Sequence, residues 1–186
     1  MTVIHTERLT LRLLEQGDAD VLERLIDDCD VARTTLNIPH PYPRGSAAAF
    51  IERRAEVAGK GDGYSFAVLD QEAGTFMGSI GMNIDNNHNR AELGYWLGTR
   101  FWNNGYMTEA AGRIVRFGFD ELGLNKIVAA AMTKNPGSSG VMKKIGMQYE
   151  GTFRQHLLKW GHYEDICYYG LLREDYSRAR LETRQR

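Results

Sequence analysis

Two cysteines and four prolines in 186 residues leave little room for several structural classes. Cys29 and Cys167 are too few for a disulfide framework or a structural zinc site, and fit small, half-buried apolar positions in a reducing compartment. No run approaches the eighteen or so apolar residues that span a bilayer. The opening MTVIHTERLTLRLLEQGDAD alternates polar and apolar residues and lacks the apolar segment of a secretory leader, so a cytoplasmic protein is expected. Charge of one sign is also lacking: 23 Lys and Arg against 24 Asp and Glu give a formal net charge of -1. A dedicated nucleic-acid binder needs a basic excess, so that class is excluded. Repeats and low-complexity stretches are missing too, which removes solenoids.

What remains is an ordinary globular composition, 42% hydrophobic and 25% charged, at a length that favours one domain over residues 1–186. Residues 6–14 alternate as a half-buried strand, and Asp18 is expected to cap a helix carrying Val21, Leu22, Leu25 and Ile26. Three prolines make 37–45 a loop, and a second helix runs from Ser46 to a stop at Gly61. The period then changes to that of strands over 64–69, 75–84 and 91–97. A helix over 106–122 ends at Gly123, followed by a strand over 126–132 and a short helix over 138–145. A closing hairpin pairs 148–158 with 163–172 across Lys159-Trp160-Gly161. This order predicts an α+β (mixed α/β) domain built on one sheet.

The informative stretch is RAELGYWLGTRFWNNGYMTEAAGRIVRFGFDELGLNKI, residues 90–127. A strand enters a polar, glycine-containing turn that opens directly into an amphipathic helix. Such a helix start offers unpaired N–H donors and a positive dipole end to phosphate oxygens. Gly105 removes a side chain where phosphates would approach, and Thr108 adds a hydroxyl. A plain strand–helix connection with a glycine in its turn is the competing reading. No G-x-G-x-x-G after a first strand and no G-x-x-x-x-G-K-[ST] is present, so dinucleotide and P-loop sites are excluded.

This stretch resembles motif A of the GNAT superfamily of N-acetyltransferases, whose loop Gln/Arg-x-x-Gly-x-Gly/Ala is filled by Arg100-Phe101-Trp102-Asn103-Asn104-Gly105. Asn103 stands where the first glycine is usual, and asparagine tolerates left-handed backbone better than other non-glycine residues. TERLTLRLL, AELGYWL, WNNGYMTEA, FDELGLNKI, NPGSSGVMKKIGMQYEG and the WGHYED…YGLLREDY ending are similar to the RimJ/RimL group, typified by acetyltransferases of ribosomal-protein N-termini. The resemblance covers about residues 6–176. It implies a GNAT fold, a mostly antiparallel central sheet flanked by helices. It also implies acetyl-CoA as co-substrate and an amine acceptor as the other partner, with a homodimer left open and neither nucleic acid, membrane nor metal involved. Trp96, Leu97, Arg100, Trp102, Asn103, Asn104, Gly105, Tyr106, Met107, Thr108, Asn135, Ser138 and Lys144 become the expected cofactor-binding residues.

Acetyl transfer needs a base for the amine, donors for the developing oxyanion and a proton for the leaving thiolate. Glu92, at the position of the strand glutamate that is the base in some family members, is the candidate base; an ion pair with a sheet arginine is its alternative role. Met142 stands where many members place a proton-donating tyrosine, so Ser138 is the candidate donor, with a helix N-cap as its alternative. No activated Ser–His or Cys–His pair is readable, so attack is expected to be direct, in a ternary complex. The leading acceptor is a peptide N-terminal amine, in a groove walled by Tyr42, His156 and Trp160. A polyamine, antibiotic or amino-acid derivative is the next reading, and a CoA-binding module without turnover the third. His156, His162 and Glu164 lack any metal-binding spacing and read as hairpin surface.

Overall fold

The computed structural model describes residues 3–184. An eight-stranded sheet is built from β1 (Val3–His5), β2 (Leu9–Leu13), β3 (Gly63–Asp70), β4 (Phe76–Asp85), β5 (Arg90–Leu97), β6 (Lys126–Met132), β7 (Gln148–Lys159) and β8 (His162–Leu172). Their order is β1-β2-β3-β4-β5-β6-β8-β7, and every neighbouring pair is antiparallel except β5 and β6. That parallel pair requires a crossover, supplied by α4 (Tyr106–Asp120). The remaining helices are α1 (Ala19–Ile26), α2 (Cys29–Thr34), α3 (Ser46–Lys60), α5 (Pro136–Lys144) and α6 (Arg173–Arg184).

Strand alternation decides which face each helix covers. Ile80, Met82, Ala91, Leu93, Leu97 and Ile127 point to one face, where Ile114, Val115 and Phe119 of α4 close the larger core. Ala67 and Phe76 point to the other, against Leu22, Ile26, Val31, Ala47 and Ile51 from α1, α2 and α3. These three helices cover the β2–β4 side only. The floor made by Gly81, Asn83, Glu92, Gly94 and Ala130 lines an open cavity instead.

Several expectations are corrected. Asp18 makes no side-chain cap on α1; its carboxylate takes two hydrogen bonds of 2.7 Å from Arg12, and a third from the Glu15 N–H at 2.9 Å. Cys29 is exposed rather than half-buried, whereas Cys167 is buried. α4 ends at Asp120, two residues early, because Leu122 donates back to Phe117 O and Leu124 to Gly118 O around a left-handed Gly123, φ +72°. α5 begins at Pro136 rather than Ser138, because Asn135 caps it. The hairpin turn is two residues, Trp160 and Gly161, both at positive φ, with Lys159 facing His162. None of the helices is long and apolar enough to cross a membrane among the described residues.

Candidate active site

β5 and β6 pair only through Arg90–Leu93 and Lys126–Ala129. Beyond that point β5 stays with β4 and β6 stays with β8, so the two parallel strands part. Gly98 donates its N–H to Met77 O on β4 at 2.9 Å. Alternation along an extended strand therefore turns the Trp96 N–H toward β4 and the Tyr95 and Leu97 N–H groups into the opening. A cavity of about 840 Å³ occupies this fork. Glu92, Trp96, Leu97, Trp102, Asn103, Gly105, Tyr106, Met107, Thr108, Asn135, Ser138 and Lys144 all line it. Arg100 and Asn104 do not: the Arg100 guanidinium sits 4.6 Å from the Phe101 ring centre, and Asn104 braces the loop.

That loop is shaped by specific bonds. Trp102 Nε1 donates to Leu97 O at 2.8 Å, and Asn104 Nδ2 to Trp102 O at 2.8 Å. Asn103 adopts φ 61°, the left-handed backbone expected of it, and Gly105 adopts φ 79° as the residue before α4. The first backbone bond of α4 runs from Glu109 N–H to Gly105 O. Gly105 offers no side-chain cap, so the N–H groups of Tyr106, Met107 and Thr108 have no acceptor among the described residues. Met107 contributes backbone only, since its side chain is buried in the core. Three orphan donors at the end of a fifteen-residue helix fit the pyrophosphate of a coenzyme A thioester.

The loop is held from outside by residues that were not among the expected cofactor-binding ones. Arg8 Nη1 donates to Asn104 O at 3.1 Å, and Arg8 Nε to Glu109 Oε2 at 2.8 Å. Glu109 also accepts from Thr6 Oγ1 at 2.6 Å and the Arg8 N–H at 2.8 Å. Burial alone would raise the Glu109 pKa, but these bonds and the Arg8 charge outweigh it and hold the carboxyl below its ordinary value.

On the α4 face, Asn135 Oδ1 accepts from the Ser138 N–H at 3.1 Å, and Asn135 Nδ2 donates to Thr34 O at 2.8 Å. Asn135 thus takes the capping role, and the Ser138 hydroxyl is left to meet Tyr95 Oη at 3.0 Å. Tyr95 lies on β5, was not among the expected site residues, and also donates to Ser138 O at 3.0 Å. Burial, opposed by the Ser138 hydrogen bond, pushes its pKa up to about 12, so the phenol is protonated at neutral pH. Met142 is buried in the core, as a methionine should be.

On the opposite face, Glu92 is exposed to the cavity and has no ion-pair partner among the described residues. The nearby arginines are engaged elsewhere: Arg90 with Asp85, and Arg54 of α3 with Ser65 and Asn83. Lys159 is buried and donates to Thr35 O at 2.7 Å and Ile38 O at 3.0 Å, fixing the segment after α2 that borders the cavity. Tyr42, His156 and Trp160 are not brought together and do not line the cavity. Tyr42 packs beside the α1–α3 core with its N–H on Asp27, His156 stacks near Phe153 and Tyr168, and Trp160 is half exposed at the hairpin tip. Glu164 pairs with Lys134. No cluster of three or more His, Cys, Asp or Glu able to hold a metal occurs among the described residues.

Residues 8–148 match the family model described as Acetyltransferase (GNAT) domain. The chain is 32% identical over 178 residues to the N-acetyltransferase p20 of Bacillus licheniformis, itself uncharacterized, covering 95% of this chain and 99% of that one. It is 31% identical over 176 residues to the uncharacterized N-acetyltransferase YnaD of Bacillus subtilis, covering 94% and 99%. Among solved structures, a GNAT-family acetyltransferase from Bacillus anthracis superposes with a TM-score of 0.83 at 26% identity, over 93% of this chain and 99% of that one. A fork between parallel strands, a donor-rich helix start and these likenesses converge: the chain belongs to the GNAT family and is an acetyl-CoA-dependent N-acetyltransferase.

Proposed function

We propose that the protein acetylates an α-amine of the peptide or amino-acid type, by direct attack in a ternary complex. One observation carries the chemistry. Alternation along β5 sets the unpaired Glu92 carboxylate on one face of the fork and the Tyr95–Ser138 hydroxyl pair on the other. Base and acid thus flank the line along which an amine would displace a thiol.

Glu92 takes the proton from the acceptor ammonium, directly or through a water. The Tyr95 and Leu97 N–H groups hold the thioester carbonyl oxygen as it becomes anionic. Ser138 gives its hydroxyl proton to the departing thiolate and recovers one from solvent through the open cavity, while Tyr95, protonated throughout, holds the Ser138 oxygen at 3.0 Å. The N–H groups of Tyr106–Thr108 and the loop at Asn103–Gly105 hold the pyrophosphate, with Lys144 beside them at the cavity wall. The acetyl group is supplied by the bound thioester.

The acceptor class is supported by charge. Glu92 is the sole carboxylate on the cavity wall among the described residues, against Arg33, Arg54, Lys134 and Lys144. A polyamine would call for several carboxylates. The RimJ/RimL resemblance further supports a peptide N-terminus, although the groove walls are the segment after α2 and the face of α3 rather than Tyr42, His156 and Trp160. Initial rates of thiol release, with short peptides whose N-termini are free or blocked, test this reading. Free peptides should react with intersecting double-reciprocal lines and blocked ones should not. Equal rates for both, or parallel lines, would reject it.

A further inference from the structure

Arg54 is the feature of the cavity that acetyl transfer leaves unused. It projects from α3 to the sheet floor, half-buried, where Nε donates to Ser65 Oγ at 2.7 Å, Nη1 to Asn83 Oδ1 at 2.7 Å and Nη2 to Met82 O at 3.3 Å. All three acceptors are neutral. A guanidinium carries five N–H donors, so one on each terminal nitrogen remains without a protein acceptor among the described residues. Among the described residues no carboxylate lies within ion-pair distance, in contrast to Arg8, Arg12, Arg33 and Arg90, each of which has one. Burial accordingly lowers the Arg54 pKa with no countercharge to offset it.

Its position is as telling as its state. Arg54, Ser65 and Asn83 all line the cavity, and Asn83 faces Glu92 directly across β4 and β5. A fixed cation and a free carboxylate thus stand on either side of one amide on the open sheet face. An ammonium drawn to Glu92 leaves its own molecule's anionic end beside Arg54. A planar fork with two unspent donors matches a carboxylate. Beside Glu92, Gly94 has open space where a side chain would project, so the sheet floor next to that carboxylate is clear.

We propose that Arg54 is an acceptor-binding residue that recognises a carboxylate on the same molecule as the amine being acetylated. The proposal rests on the acceptor-side reading above and narrows it. The carboxylate belongs either to the α-carboxyl of an amino-acid-type acceptor or to an acidic side chain at the start of a peptide.

Two matched pairs test this and tell the sources apart: alanine against alaninamide, and Asp-Ala-Ala amide against Asn-Ala-Ala amide. Thiol release gives kcat/KM for each in wild type, Arg54→Gln and Arg54→Lys. Dividing the variant's carboxylate preference by that of wild type cancels intrinsic differences in amine basicity. In at least one pair the wild type should prefer the carboxylate through KM, and Arg54→Gln should reduce that preference about tenfold or more. Arg54→Lys should retain part of it, and the exposed neighbour variant Arg53→Gln all of it. Acetyl-CoA affinity and melting temperature show that Arg54→Gln is folded. Acetylation with no carboxylate preference in either pair, or a preference undiminished in Arg54→Gln, overturns the proposal and leaves the acetyltransferase reading intact. Acetyl-CoA binding with no thiol release to any of the four amines overturns the acceptor-side reading, and the proposal with it.

Discussion

Gly105 is the position where backbone conformation and ligand binding can be separated by measurement. It sits at φ +79° just before α4, and a Cβ there would meet only Arg8 Nη2, at an ordinary 3.5 Å. An alanine is therefore not excluded by crowding within the protein. It is penalised by left-handed backbone, at about 1–2 kcal/mol. In a chain of this length that is a fall of roughly 2–8 °C in melting temperature. Gly123 provides the control: φ is +72°, and the nearest atom to a Cβ is Arg173 Nη2 at 3.8 Å, at the far end of α4. Gly123→Ala should cost a similar amount of stability and leave acetyl-CoA affinity unchanged. Gly105→Ala should cost the same stability and also weaken acetyl-CoA, since the loop presents N–H groups to a charged ligand. Charge-assisted hydrogen bonds of about 1.5–3 kcal/mol set the scale, so affinity should drop roughly 10- to 100-fold, and Gly105→Val should drop it further. Calorimetric titration with acetyl-CoA and thermal melts of both variants are the assay. If Gly105→Ala binds acetyl-CoA like Gly123→Ala, the phosphate-loop assignment is wrong.

Tyr95→Phe should lower kcat about tenfold or more with little change in acetyl-CoA affinity. Its effect should not add to that of Ser138→Ala, because one hydrogen bond joins the two; full additivity in the double variant would separate them. Glu109→Gln should cost about 1–3 kcal/mol near neutral pH by removing a carboxylate held by Thr6 and Arg8. The folded-state pKa is depressed, so this stability is present above the ordinary glutamate value of about 4.3 and lost as pH falls below it. Melting curves of wild type and variant should converge in acid; a gap independent of pH would refute the charge-based explanation. Lys159→Met frees Thr35 O and Ile38 O at the cavity border, and should raise acceptor KM while leaving acetyl-CoA affinity alone.

The long, strongly periodic elements were legible in the chain itself. α3 runs from Ser46 to Lys60 with its stop at Gly61 as predicted, and the strand spans agree within a few residues at each end. Three elements were not legible, each for a physical reason. β1 has three residues, too few for a period. α2 has six, started by Asp28 accepting from the Asp30 N–H, within a run too polar to show a stripe. α6 is mostly charged and attaches through Tyr176 stacked on Phe119 and Arg180 paired with Asp120, contacts set by the rest of the fold.

The site divides along the same line. Glu92 and the Gly105 loop follow from a strand–turn–helix pattern that lies together in sequence. Tyr95 was hidden because strand alternation, not a helix after Asn135, supplies its hydroxyl opposite Ser138. Arg54 and Lys159 were hidden because their partners lie 11 to 124 residues away. The expected walls Tyr42, His156 and Trp160 failed to assemble because aromatic character does not fix where a loop or a hairpin tip lies.

The role of Glu92 is tested most directly by the pH dependence of kcat for Glu92→Gln with a free-amine peptide, alongside acetyl-CoA affinity. With Glu92 as the base, kcat falls about a hundredfold or more, the rising limb of the profile disappears and acetyl-CoA affinity is unchanged. A variant with wild-type kcat and an unaltered profile would contradict it.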